Sequence, residues 1–380
     1  MKAVKRITVL LLIVEMLCLT GCWNYREVDN LSMVGGFAID KGKEDHKYHV
    51  TFEFLDLSKS PPGSKLLETE GDTVFDAVRN AISKSEKKLF FSDCKVVVIS
   101  QSIAQEGITP LLDWVFRDAE PRITINPVIS EAPTAAEVLQ QKPVTDQLSS
   151  LEIWRTISQN TTNLSEVPNV ELYEAVDRLT DEGISLTLPC IKISESKDQK
   201  TLELDGAAVF KKDKLVGYLN RDETKYYLFV KNLVKGGLLV VSPENNDQSI
   251  CLEMQDSRTK VTPKISNATA SIQINTKVKA ALGEDQTTQD YVNEKNLEKA
   301  EKGAEKLLKD NMTSVIKKVQ TQFDSDIFGF GKIIHQTSPE FWNKNKSNWD
   351  ELFKNLKCTV TTEVSINNTA TAKDEIKVED

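Results

Sequence analysis

Apolar residues recur along this chain with two periods, two and about 3.6, and the alternation between them marks out the elements. Tyr48, Val50, Phe52 and Phe54 alternate with polar neighbours through Lys47–Leu57. This predicts a strand, Met33–Asp40 predicts another, and the polar run Lys41–His46 joins the two as a hairpin. Ser58–Ser64, which contains Pro61-Pro62-Gly63, reads as a loop. Thr73–Lys88 has helical spacing, with Val74, Val78, Ala81 and Ile82 on one face and Asp72 as the cap. The unbroken Cys94–Ser100 reads as a buried strand, Ile108–Arg117 as a helix and Arg122–Ser130 as a strand. Thr134-Ala135-Ala136-Glu137 has capping-box spacing and opens a short helix. Helical patterns return at Leu151–Gln159 and at Asn169–Glu182, the second closed by Gly183, and Ile184–Ile193 is a strand.

The polar break Ser194–Lys200 is read as a domain boundary. Beyond it, Leu202–Leu219 predicts a second hairpin, turning at Lys212-Asp213, and Asp222–Lys231 a helix. Three strands follow between Gly237 and Leu282, with clean alternation through Ile272, Ile274, Thr276 and Val278. Asn293–Asp324 is the longest helical signal: Leu297, Ala300, Ala304, Leu307, Leu308, Val315, Val319 and Phe323 form a one-sided stripe. Glu298–Lys302 and Glu305–Lys309 have the spacing of stabilising pairs. Such a helix serves a partner or packs on its own sheet. The strands on both flanks favour the second. Asp350–Asn355 (helix) and Leu356–Ile366 (strand) close the pattern, and the polar tail from Asn367 reads as disordered. The fold class is multi-domain α+β, with mixed sheets and packed helices. The expected division is 31–195, 201–370 (divisible near 260–270) and a tail, 371–380.

The N-terminus adds a processing signal. Lys2, Lys5 and Arg6 precede an apolar stretch, Ile7–Leu19, in the order of a secretory leader. The stretch is about 13 residues long, where spanning a bilayer takes about 20, and Glu15 interrupts it. Leu19-Thr20-Gly21-Cys22 resembles the lipobox of bacterial lipoproteins, whose cysteine is acylated once the leader is cut before it. On that likeness residues 1–21 are a signal peptide, Cys22 carries S-diacylglycerol and an N-acyl group such as palmitate, and 22–30 is a tether. The alternative is a plain leader that happens to end in cysteine. At about 0.8 kcal/mol per buried methylene, two or three acyl chains hold firmly where one does not.

Charge and chemistry narrow the function. The full chain carries −9, and removal of a leader with three basic residues and one acid takes it to about −11 (−9 − 2). Such a chain is a poor candidate for nucleic acid or for an anionic lipid surface. Cys94, Cys190, Cys251 and Cys358 are far apart without a C-x-x-C, so they suggest neither a metal knuckle nor a redox pair and read as small buried residues. His46 and His49, near Glu44 and Asp45, have the residue types of a metal site. Three apart on a turn and strand, the two histidines point oppositely, so an exposed polar turn is the better reading. His335 stands alone. Gly329-Phe330-Gly331 lacks the lysine and the third glycine of the phosphate loops, and neither G-x-S-x-G nor H-E-x-x-H occurs. No catalytic, metal or cofactor residue is assigned.

Several segments, taken in order, resemble one family. These are Gly21-Cys22-Trp23-Asn24-Tyr25-Arg26-Glu27-Val28-Asp29 with Gly35-Gly36-Phe37-Ala38-Ile39-Asp40, then Asp205-Gly206-Ala207-Ala208-Val209-Phe210-Lys211 with Leu215-Val216-Gly217-Tyr218-Leu219. Asp326-Ile327-Phe328-Gly329-Phe330-Gly331 and the spaced Trp342 and Trp349 complete the set. Together they are similar to the Ger(x)C lipoproteins, the C subunits of nutrient germinant receptors in endospore-forming bacteria. The resemblance implies three mixed α+β domains, no enzymatic activity and no cofactor. It also implies a lipid anchor on the outer face of the spore inner membrane, and A and B subunits as partners. A lipid-anchored solute-binding protein of a transporter is the alternative, and an anchored hydrolase a third. Gly35-Gly36 within a strand suggests a bulge or close backbone approach, and Gly329 and Gly331 suggest positive φ in a turn.

Overall fold

The structure, a computed structural model, describes residues 1–8, 27, 30–43, 46–58, 60–196, 199–242, 249–266, 269–287, 291 and 293–368. Cys22, most of the leader and the tail from 369 therefore lie outside the described residues. The architecture is α+β in two sheets.

The first sheet holds β1 (Leu31–Lys41), β2 (Tyr48–Asp56), β3 (Gly63–Gly71), β4 (Lys88–Phe90), β5 (Val96–Ser100), β6 (Asn126–Ser130), β7 (Thr187–Ser196), β8 (Gln199–Lys211) and β9 (Lys214–Leu219). Its order is β3-β2-β1-β5-β6-β7-β8-β9, with β4 beside β1. The centre, β1-β5-β6-β7, is parallel and the flanks are antiparallel. Helices cover both faces, so β5 and β6 are buried at every residue. On one face lie α1 (Val74–Asn80), α2 (Gln101–Glu106), α3 (Thr109–Arg117) and α6 (Leu172–Thr180), against Val97 and Ile99. On the other lie α4 (Ala135–Gln140) and α5 (Ser149–Asn163), against Val96 and Val98.

The second sheet, β10 (Leu238–Val241), β11 (Ile250–Ser266), β12 (Thr269–Asp285) and β13 (Lys357–Asn368), runs in chain order. One face packs on α8 (Glu294–Lys318) and α7 (Arg221–Val230). The helices α9 (Phe330–Thr337), α10 (Pro339–Asn345) and α11 (Trp349–Lys354) close that core. Strand β8 serves both cores: Ala208 and Phe210 face the first, and Ala207 and Val209 the second.

The long helix matches its sequence signal. Asn293 caps it, Ala300, Ala304, Leu308, Met312 and Val315 are buried on the sheet, and it ends through a π turn, Val319–Phe323, at left-handed Asp324. Glu298–Lys302 forms as read. Glu305 instead turns to β13 and accepts the Val364 N–H at 3.1 Å. Gly35-Gly36 does mark a bulge, where the β1–β2 register shifts and a side chain at Gly36 would strike Ser150.

Other elements differ from the sequence reading. The helix expected over Thr73–Lys88 stops at Asn80 and passes into a 3₁₀ turn, Ala81–Ser83, because the chain must return as β4 beside β1. Thr73, not Asp72, is its cap: the Thr73 hydroxyl accepts the Asp76 N–H at 3.0 Å, while Asp72 lies one residue too early. Strand β3 went unread because Lys65-Leu66-Leu67-Glu68 breaks the alternation on an edge with one partner. Helices α9 and α10 were hidden by Gly329, Gly331 and Pro339, and Gly331 is helical rather than in a positive-φ turn. At the break read over Ser194–Lys200, Ser194 pairs with Thr201 and Ser196 with Gln199. Near 260–270, Lys260–Ser266 of β11 pair with Thr269–Asn275 of β12.

Candidate functional site at the seam of the two halves

Asp326 organises the junction between the sheets. It follows the left-handed Asp324 that ends the long helix, and it is 5% exposed. Its Oδ1 accepts the N–H groups of Gly329 (2.9 Å) and Phe330 (3.1 Å). Its Oδ2 accepts those of Gly331 (2.8 Å) and the Trp349 indole (3.2 Å). The carboxylate therefore caps α9 from within the chain and ties it to α11. Burial pushes its pKa up to about 6, against these donors and the nearby Lys231, whose own pKa burial takes down to about 8.

The first half grips this knot through the segment after α6. The Asp326 carbonyl accepts the Ser185 N–H (2.8 Å), and the Gly183 carbonyl accepts the Lys332 N–H (2.8 Å). Glu182 accepts from the Trp342 indole and from Lys346, each at 3.0 Å, and Asp181 pairs with Lys332. Gly183 and Gly331 meet backbone to backbone: a Cβ on Gly331 would stand 2.8 Å from Gly183 Cα. His335 is not isolated, since its ring stacks on Trp342 at 5.5 Å.

Beside the knot a crevice of about 580 Å³ is lined by Arg178, Asp181, Lys211, Asp213, Asp324 and Asp350, among others. Lys211 binds Asp324 (2.5 Å) and Asp350 (3.2 Å), and Lys354 reaches Asp324 at 3.3 Å. The crevice is polar and held by ion pairs that cross from β8 to the end of the long helix.

Two further carboxylates are structural. Asp40, at the end of β1, accepts the N–H groups of Ala135 (2.7 Å) and Ala136 (2.9 Å) at the start of α4. Glu53, on β2, accepts those of Ser149 (2.9 Å) and Ser150 (2.8 Å) at the start of α5. Each satisfies orphan helix donors and places a negative charge at the positive end of the helix dipole. His49 lies half-buried between Glu70 (3.4 Å) and Glu68 (3.6 Å). Its acidic neighbours thus come from β3, whereas Glu44 and Asp45 lie outside the described residues. Burial raises the pKa of Cys94 and Cys190, and that of Cys358 to about 12, so these thiols stay protonated and unreactive.

The one residue assigned a chemical event from sequence, Cys22, lies outside the described residues. Asp326, Glu182, Asp40 and Glu53 were not singled out as site residues. A carboxylate just before a glycine-rich helix start was the available signal for Asp326.

The description "Spore germination protein N-terminal domain" matches residues 24–193, and "Spore germination B3/ GerAC like, C-terminal" matches 205–370. Spore germination protein B3 of Bacillus subtilis (strain 168) is 26% identical, over 93% of this chain and 94% of that protein. Spore germination protein KC of the same organism is 24% identical over 98% of each. The crystal structure of the GerBC protein superposes with a TM-score of 0.57 at 24% identity, covering 88% of this chain and 97% of that one.

Proposed function

Because the chain belongs to the Ger(x)C family of spore germination proteins, we propose that it is the lipid-anchored, non-catalytic C subunit of a nutrient germinant receptor. One observation carries the reading: two germination domains match in order, the first ending within β7 and the second beginning within β8, and together they cover most of the chain. A role in germination within a receptor complex is the coarse part. The anchor, the outer face of the spore inner membrane, and the A and B subunits as partners are the finer part.

Three features support the finer part. The leader is basic then apolar and ends in L-T-G-C, and Lys2, Lys5 and Arg6 are exposed. Among the described residues no helix is long and apolar enough to cross a membrane, and the proposed attachment is through acyl chains at Cys22. Asp40, Glu53 and Asp326 are engaged in capping helices and the buried thiols are protonated, which fits a body that positions rather than reacts.

The test is Cys22→Ala in spores. The variant should fold, leave the membrane fraction and fail to support germination. Intact-mass spectrometry of the parent should show a chain beginning at Cys22 with its acyl groups, and detergent extracts should bring down the A and B subunits with it. Full germination by a membrane-retained variant, or an unacylated parent, would overturn the reading.

A further inference from the structure

The second sheet has one face with no covering layer among the described residues. Through β12, Ile272, Ile274, Thr276 and Val278 are buried in the core. Gln273, Asn275, Lys277 and Lys279 point the other way and are exposed. The pairing extends this face sideways. On β11, Asp256, Arg258 and Lys260 lie opposite Lys279, Lys277 and Asn275, and Lys264 lies opposite Ser271. On β13, Lys357 lies opposite Ser271 and Glu363 opposite Lys277.

Arg258, Lys260, Lys264, Lys277, Lys279 and Lys357 thus share one exposed surface with the carboxylates of Asp256 and Glu363, and exposed Glu253 lies beyond them on β11, in a chain of net charge −9. Lys277 pairs with Glu363 at 2.6 Å and Arg258 with Asp256 at 3.4 Å. Both pairs are largely exposed and contribute little. Lys260, Lys264, Lys279 and Lys357 have no ion-pair partner among the described residues. The whole-chain charge, which argued against an anionic lipid surface, averages this face away.

We propose that this face of β11-β12-β13 lies against a layer of anionic phospholipid headgroups. The neutral residues between the cations are threonine, serine, asparagine and glutamine, and the exposed aliphatic side chains of this sheet, Leu238 and Val240, lie on β10 opposite Glu253 and Cys251, outside the cationic stretch. A protein interface draws its affinity from aromatic and aliphatic anchors, and single-stranded nucleic acid from aromatic stacking. A headgroup layer needs only charge spread over a surface. The inference rests on the lipid-anchored reading for the presence of the membrane. The acyl group would confine the protein there, and the face would set how its body stands.

The experiment leaves the anchor out. The mature chain carrying Cys22→Ala is sedimented with vesicles of phosphatidylglycerol or phosphatidylcholine at low and at physiological ionic strength. Binding to the anionic vesicles alone, weakened by salt, is expected. Lys260→Glu, Lys264→Glu and Lys357→Glu together should weaken it at least about tenfold. The triple Lys87→Glu, Lys142→Glu, Lys214→Glu, at exposed positions off this sheet and with the same change in net charge, should weaken it much less. Unchanged urea midpoints show that both triples fold. Equal binding to neutral vesicles, or equal weakening by the two triples, would overturn the proposal. So would no vesicle binding, joined to loss of the A and B subunits from detergent extracts of the sheet-face variant; that result assigns the face to an acidic protein. Failure of the anchor reading shows separately, in the mass of the product at Cys22.

Discussion

The two sheets solve the same burial problem differently. In the first, helices lie on both faces, and β5 and β6 are buried at every position. In the second, helices lie on one face, and β12 alternates buried and exposed from Ile272 to Ala280. A strand enclosed on both sides has no surface to offer and serves as scaffold. A strand enclosed on one side leaves a surface whose composition is free to carry function, and here that surface is cationic on an acidic protein. Asp326 and its glycines join the two, so the enclosed half sets how the open half is held.

The comparison predicts its largest effect inside β5. Ile99 is 0% exposed at the centre of the first sheet, with helices above it and another strand on each side. Ile99→Ala should cost about 4 kcal/mol in urea unfolding, because neighbours fixed on every side relax little into the cavity. A loss under about 1 kcal/mol would mean that this half is as adaptable as a one-sided layer.

A mid-sized effect belongs to the seam. Burial raises the Asp326 carboxyl from 3.8 to about 6, so the folded protein holds a proton where the unfolded chain has released it. That contribution is present below about pH 4 and is lost as pH rises through about 6, by at most about 3 kcal/mol. Asp326→Asn removes the titration. Stability of the parent minus that of the variant should therefore fall between pH 4 and pH 7. A difference that stays level across that range would show that the four donors and Lys231, not burial, set the group's charge.

How much of this was legible follows from the same contrast. Period-two alternation and a one-sided helical stripe are local, so the alternation Ser271–Val278 falls within β12, which runs on to Asp285, and Asn293–Asp324 was read close to its true bounds. Cys94–Ser100, which is enclosed, was read as buried from its apolar run. What failed was set by partners distant in sequence. The first helix ends early because β4 must reach β1, and β3 is a strand only because β2 accepts it. The seam was least legible. Gly183 and Gly331 are 148 positions apart (331 − 183), and nothing near either shows that their backbones touch. Gly329 does take positive φ, as its residue type suggested, whereas Gly331 is glycine because there is no room for a Cβ. The open face escaped for a related reason: its lysines lie on three strands, and only the register of β11, β12 and β13 gathers them.

The smallest predicted effect tests whether that face is bare in the isolated protein. Thr361 lies opposite Asn275 on the exposed side of β13. Thr276, the next position on β12, is 1% exposed, and its hydroxyl meets that of Thr259 at 2.9 Å. The two threonines share a ladder and differ in which side they face. Thr361→Ala removes no buried contact and no paired hydroxyl among the described residues, so its unfolding free energy should stay within about 0.5 kcal/mol of the parent. A cost above about 1 kcal/mol would mean that another part of the chain or a second copy already covers the face. The cations of β11, β12 and β13 would then be engaged before any membrane is offered.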